Sequence, residues 1–94
     1  MTIFLGRPMR RSKLERQMDI MKNIAEFGPI RGTHVMYKSN ITWSELKEDI
    51  QILKVLSLVE AVQAEEGLFY TITPAGRETL AHFAQVEQAL RSKA

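Results

Sequence analysis

The chain contains no cysteine, and its two histidines, His34 and His82, have no partner at metal-ligand spacing. This excludes a disulfide framework and a thiolate metal site, so we expect no metal and no cofactor. No run of eighteen apolar residues is present, and the stretch 2–5 is broken by Gly6-Arg7-Pro8 before it reaches the length of a signal-peptide core. The sequence therefore predicts no insertion into a membrane.

Catalytic patterns are also missing. The sequence has no glycine-rich phosphate loop, and its serine, histidine and acidic residues form no arrangement typical of a nucleophilic or acid–base site. No small-molecule ligand is indicated, and we expect a protein that is not an enzyme. With 94 residues, 45% of them hydrophobic, the chain is long enough for one small domain with a thin core.

Two capping boxes mark the beginnings of helices, because Ser12 precedes Glu15 and Thr42 precedes Glu45 at the required spacing. The first helix is predicted to run from Ser12 until Gly28-Pro29 ends it. Its apolar residues recur every three or four positions, which indicates one broad buried face. They are Leu14, Met18, Met21 and Ala25, with Ile20, Ile24 and Phe27 beside them.

A short helix followed by a longer one across a tight turn is predicted in the middle of the chain. The short helix spans Thr33, its expected cap, to Lys38, and the turn is Ser39-Asn40-Ile41. The longer helix begins after Thr42 and is expected to bury Leu46, Ile50 and Leu53. Its outer face then carries Trp43, Ser44, Lys47, Gln51 and Lys54. This is the arrangement of a helix-turn-helix, whose second helix fits the major groove of DNA.

Two strand-like segments follow, at 58–63 and 68–72, and the residues 64–67 between them end in a glycine suited to a hairpin turn. Thr73-Pro74 then begins a last helix, since threonine caps well and proline is tolerated at the first helical position. The order helix, helix, helix, strand, strand, helix predicts an α+β, mainly helical fold, a winged helix-turn-helix with a long C-terminal helix.

We divide the chain into a basic N-terminal arm (1–11), a winged helix-turn-helix domain (12–73) and a C-terminal dimerisation helix (74–94). Charge is distributed unevenly among these parts. Residues 1–24 carry six basic and two acidic side chains, whereas residues 39–67 carry two basic and six acidic ones. The helix and hairpin that would meet DNA are therefore acidic on balance.

Two stretches of the chain stand out, Thr33-His34-Val35-Met36-Tyr37-Lys38-Ser39-Asn40-Ile41-Thr42-Trp43-Ser44-Glu45-Leu46-Lys47 and Tyr70-Thr71-Ile72-Thr73-Pro74-Ala75-Gly76. They resemble an archaeal winged-helix family of small DNA-binding proteins in which a C-terminal helix forms an antiparallel coiled coil. The resemblance covers roughly 12–90. It implies a homodimer that binds double-stranded DNA, as a transcription regulator or a chromatin-type protein, in the cytoplasm with the nucleoid. Glu48-Asp49 and the acidic turn at 64–67 depart from the family and would repel phosphate.

Phosphates are bound by basic, hydroxyl and amide groups, and base edges are read by bidentate side chains. The candidate DNA-binding residues are Arg10, Arg11, Lys38, Thr42, Ser44, Lys47, Gln51 and Lys54. The alternative is that the helix residues form an ordinary solvated face and that the basic arm, Arg7 to Arg16, merely aids solubility. Trp43 is expected to have a mostly structural role, either beside Tyr37 or against the sugar-phosphate backbone.

The last helix has two interpretations. It packs back on its own domain, or its apolar residues meet the same helix of a second copy across a two-fold axis. The candidate dimer interface is Leu80, Phe83, Val86 and Leu90. A second functional hypothesis is a winged-helix protein–protein interaction module that presents the acidic helix and hairpin to a basic partner.

Overall fold

The computed structural model describes residues 11–92. Its elements are α1 (Lys13–Phe27), β1 (Ile30–Arg31), α2 (Gly32–Ser39), α3 (Trp43–Val55), β2 (Val59–Ala64), β3 (Gly67–Ile72) and α4 (Pro74–Ser92). The sheet is antiparallel with strand order β1-β3-β2. The predicted mainly helical α+β class with a β-hairpin between α3 and α4 is confirmed.

Both predicted capping boxes are present. The Ser12 hydroxyl accepts a hydrogen bond from the backbone N–H of Glu15 at 3.0 Å, and the Glu15 carboxylate accepts one from the backbone N–H of Ser12 at 2.9 Å. Thr42 and Glu45 repeat the pattern at 3.1 and 3.0 Å. Each box satisfies two N–H groups that have no partner within the helix, so the sequence fixes where α1 and α3 begin.

The start of α2 differs from the prediction. The helix begins at Gly32, and its N-cap is Arg31, which makes no side-chain capping hydrogen bond, so the assignment of Thr33 as the cap was wrong. The cause is β1, which was not predicted. Ile30 pairs with Tyr70 and Arg31 pairs with Phe69, and this pairing delivers the chain directly into the helix. Two residues are too few for an alternating pattern to reveal a strand.

The turns at 39–41 and at the hairpin lie where they were expected. Asn40 has left-handed backbone angles (φ 56°, ψ 54°), which asparagine tolerates better than most residues. The backbone N–H of Ile41 then donates to the Met36 carbonyl oxygen at 3.2 Å and closes the end of α2. At the hairpin Gly67 has a φ of 136°, which favours glycine.

The core lies between α1, α2, α3 and the sheet. Its buried apolar side chains are Met18, Ile20, Met21, Ile24, Ile30, Val35, Leu46, Ile50, Leu53 and Val59. The predicted burial of Leu46, Ile50 and Leu53 is thereby confirmed. Leu14 and Phe27, expected in the buried stripe of α1, are 53% and 43% exposed because they occupy its terminal turns.

Helix α4 leaves the domain as it proceeds. It begins at Pro74 as predicted, and the Thr73 hydroxyl accepts a hydrogen bond from the Gly76 N–H at 2.9 Å and donates one to the Ser57 carbonyl oxygen at 2.7 Å. Later in the helix Val86 and Leu90 are exposed. No helix within residues 11–92 combines the length and the apolar character that crossing a bilayer would take.

Candidate nucleic-acid interface

The acidic side chains of α3 are paired with basic side chains of α1. Asp49 is completely buried and accepts two hydrogen bonds from the Arg16 guanidinium, one from Nε and one from Nη2 at 2.9 Å. Gln17 Nε2 donates to the same carboxylate at 3.2 Å. Arg16 Nη1 also donates to Glu45 at 3.3 Å, and the bond to Asp49 raises the pKa of the arginine. Asp49 is therefore inaccessible to a ligand, and its charge is compensated by the guanidinium of Arg16.

Glu48 completes this network at the surface. Its carboxylate lies 2.9 Å from Lys13 Nζ and 4.0 Å from Arg16 Nη2. The expectation of repulsion is therefore corrected for Asp49, which is inaccessible to phosphate. Glu48 stays more than half exposed, and the Lys13 ammonium offsets part of its charge. We call Glu45, Glu48 and Asp49 the paired carboxylates of α3.

The pKa of Glu45 is lowered. The largest cause is the hydrogen bond from the backbone N–H of Thr42, and the positive charge of Arg16 adds to it. Glu45 thus belongs to the capping box and to the ion-pair network at once. This dual use ties the first turn of α3 to α1.

On another side of α3, four of the five predicted outer residues line a cleft against β3. This α3–β3 cleft has a volume of about 300 Å³ and includes Lys47, Gln51 and Lys54, with Trp43, Leu68 and Tyr70 among its apolar walls. Burial raises the pKa of the Tyr70 hydroxyl above its ordinary value. The structure therefore brings together three of the candidate DNA-binding residues. Ser44 and Thr42 are also exposed at the start of α3, but they lie outside the cleft lining.

Two other candidates are engaged within the domain. Arg11 donates to Asp19 at 2.7 Å and to the carbonyl oxygens of Ser39 and Asn40 at 2.8 and 3.0 Å. Instead of belonging to a free arm, Arg11 joins α1 to the turn after α2. Lys38 is exposed, and its ammonium lies 3.9 Å from the centre of the Phe27 ring. Arg10 lies outside the described residues, as does most of the predicted N-terminal arm.

Sequence reasoning missed Arg31. Its guanidinium lies 5.1 Å from the centre of the Phe69 ring, and Nη2 donates to the Glu66 carbonyl oxygen at 2.8 Å. It borders a second cleft, of about 250 Å³, which is also lined by Gly32, Thr33, Trp43, Leu68 and Tyr70. Because β1 was not predicted, nothing in the sequence indicated that Arg31 lies next to the hairpin.

Trp43 lies between the two clefts and lines both, with half of its surface exposed. Its ring is close to Gly32, where an added Cβ would lie 3.6 Å from Cζ3. The indole therefore separates the two clefts where α2, α3 and β3 meet. Tyr37, which the sequence offered as a neighbour of Trp43, is 76% exposed.

The four candidate dimer residues divide into two groups. Leu80 and Phe83 are partly buried and pack against the core of their own chain. Val86 and Leu90 are 57% and 68% exposed. The first half of α4 thus completes the domain, while its second half leaves an apolar surface open.

The chain is similar in sequence to a curated regulator. It is 39% identical over 57 residues to the transcriptional repressor CcpN of Bacillus subtilis, and the match covers 61% of this chain. It spans only 26% of the length of that repressor.

Solved structures share the fold at low identity. FabT of Streptococcus pneumoniae, solved in complex with DNA, superposes with a TM-score of 0.69 at 16% identity, over 83% of this chain and 57% of that one. Sso10a-2, a DNA-binding protein from Sulfolobus solfataricus, superposes with a TM-score of 0.70 at 23% identity, over 88% of each chain. Residues 10–91 match the family model described as winged helix-turn-helix. The chain therefore belongs to the winged helix-turn-helix family.

Proposed function

We propose that this protein is a homodimeric transcription regulator that binds double-stranded DNA, with α3 in the major groove. The observation that carries the proposal is the pairing of the three α3 carboxylates with Arg16 and Lys13. This pairing reduces the main electrostatic objection, because cations of α1 offset the carboxylate charges while Lys47 and Lys54 of α3 stay exposed.

The exposed groups of α3 suit the chemistry of the groove. A glutamine such as Gln51 binds the adenine edge through two hydrogen bonds, whereas Lys47 and Lys54 bind guanine acceptors or phosphates. Ser44 and Thr42, at the start of the helix, supply hydroxyl groups for phosphate oxygens. The similarity to the Bacillus repressor, and to FabT in its complex with DNA, supports a DNA-binding regulator.

The dimer part of the proposal rests on α4. Its exposed Val86 and Leu90 are one turn apart on the helix and offer an apolar strip that a second copy would cover. A two-fold axis at this strip would place the α3 helices of the two copies in two DNA half-sites whose centres are one helical turn, ~34 Å, apart.

The protein-interaction alternative has less support than the sequence suggested. Three of its six acidic side chains are the paired carboxylates, so only Glu60, Glu65 and Glu66 remain for a basic partner. A surface of three exposed carboxylates on one hairpin is common on soluble domains and specifies no partner.

A salt-titrated duplex-binding measurement tests the proposal. With about three phosphates neutralised by each chain of a dimer, the slope of log K against log salt should be near −5. Lys47→Glu combined with Gln51→Ala should abolish the binding, while Lys22→Glu, a reversal on the exposed surface of α1, should leave most of it. A slope near zero, or equal loss in both variants, would refute α3 as the reading helix.

A further inference from the structure

The hairpin formed by β2, β3 and the turn between them, here called the wing, carries no basic residue of its own. Residues 59–72 include Glu60, Glu65 and Glu66 but neither lysine nor arginine. A wing of this composition would repel the DNA strand that passes beside α3. The positive charge at the wing comes instead from Arg31 in β1.

Arg31 is held in place by the wing itself. Its guanidinium is over the Phe69 ring, and its hydrogen bond to the Glu66 carbonyl oxygen fixes one edge of the group. Within residues 11–92 no carboxylate forms a salt bridge with Arg31. The side chain is exposed, and one hydrogen bond leaves most of its five N–H donors for a ligand.

The second cleft, which we call the Arg31 cleft, combines this cation with apolar walls. Trp43 and Leu68 are 51% and 43% exposed, and both border the cleft together with Thr33. The complementary ligand has an anionic group next to a less polar surface. Guanidinium and hydroxyl groups, as in Arg31 and Thr33, bind phosphate, while the side chains of Trp43 and Leu68 can contact a sugar. A sugar-phosphate backbone has this composition.

We infer that the Arg31 cleft binds a phosphodiester and deoxyribose of duplex DNA, and that Arg31 supplies the wing-side phosphate contact that the wing sequence lacks. The inference rests on the proposed function, since Trp43 and Leu68 also line the α3–β3 cleft, and a helix in the major groove brings a backbone strand past them. Arg31 thus makes a contact that adds affinity without reading a base.

The test is the salt dependence of duplex binding by Arg31→Gln and Arg31→Lys. Arg31→Gln should lose one phosphate contact per bound chain, which reduces the magnitude of the slope of log K against log salt by about 0.9 for each chain. Near 0.1 M salt, each lost contact should weaken binding about tenfold. The loss should be equal on duplexes of unrelated sequence. Arg31→Lys should keep the slope and bind more weakly than the native chain, because an ammonium does not bind phosphate through two parallel hydrogen bonds.

The control is Arg77→Gln on α4, which removes the same charge from an exposed site outside the lining of the Arg31 cleft. It should leave the slope unchanged, and circular dichroism should show that all three variants keep the native fold. If the native chain binds no duplex, the proposed function fails and this inference fails with it. If the native chain binds but Arg31→Gln retains its slope, or Arg31→Lys loses slope as Arg31→Gln does, only the Arg31 contact is refuted.

Discussion

Arg16 of α1 binds Asp49 of α3 through two hydrogen bonds, although the two residues are 33 positions apart in the chain. The aspartate has no exposed surface, and the arginine side chain is 17% exposed. A carboxylate in that position is stable only while its charge is compensated. The pair therefore fixes how α3 lies on α1, and so how its outer face is presented.

Substitution of Arg16 should lower the free energy of unfolding more than substitution of Asp49. Arg16→Met leaves Asp49 buried with Gln17 as its remaining donor, and we expect a loss of about 3–5 kcal/mol in the free energy of unfolding. Asp49→Asn leaves Arg16 with Glu45 and keeps a hydrogen-bond acceptor, so the loss should be about 1–2 kcal/mol. Urea denaturation of both variants measures the difference.

The control for this comparison is Lys13→Met, which breaks the pair with Glu48. Both side chains of that pair are more than half exposed, and exposed pairs contribute less than about 1 kcal/mol. If Lys13→Met were as damaging as Arg16→Met, burial of Asp49 would not be the cause of the cost.

Stability should fall in acid partly through Glu45. Its pKa is lower in the folded chain than the ordinary value of 4.5, mainly because its carboxylate accepts the Thr42 backbone N–H. A group with a lowered folded pKa stabilises the fold fully above its unfolded pKa, and that stabilisation is lost as the pH falls through the folded pKa. We therefore expect Glu45→Gln to reduce stability at pH 7 and to flatten the decline below pH 4.5.

Urea midpoints measured between pH 7 and pH 3 test this expectation. The matched control is Glu78→Gln on α4, which changes an exposed glutamate outside the ion-pair network. An acid profile of Glu45→Gln that parallels the native profile would show that other carboxylates dominate acid unfolding.

Two glycines should respond in opposite ways to alanine. A Cβ at Gly76 would lie 2.7 Å from Ile72 Cδ1 and would also collide with the Leu58 carbonyl oxygen, so Gly76→Ala should cost about 1–3 kcal/mol through overpacking. A Cβ at Gly32 meets nothing closer than 3.5 Å, and Gly32→Ala should stabilise by about 0.4–1 kcal/mol. Thermal unfolding of the two variants measures both effects, and a neutral Gly76→Ala would show that α4 can move away from β3.

The sequence predicted what depends on local rules. The capping boxes at Ser12 and Thr42, the turn at Asn40 and the apolar spacing of α3 are all encoded within a few residues. Arg31, Arg16 and Arg11 were missed or misassigned, because their partners lie at distances of 8 to 35 positions along the chain. A count of charges along the sequence treats such residues as solvated, and only tertiary pairing shows which of them remain available to a ligand.

The proposed dimer can be separated from folding by substitutions at two levels of α4. Phe83 packs against the core, so Phe83→Glu should unfold or strongly destabilise the chain whether or not a dimer forms. Leu90 is 68% exposed, so Leu90→Glu should leave the fold of each chain intact while placing a charge in the proposed seam. Sedimentation equilibrium should then find a dimer for the native chain and a folded monomer for Leu90→Glu.

The control is Gln85→Glu, which adds the same charge at a neighbouring exposed position of α4. This variant should remain dimeric if the dimer interface is formed by Val86 and Leu90. A Leu90→Glu variant that sediments as an intact dimer would place the interface elsewhere.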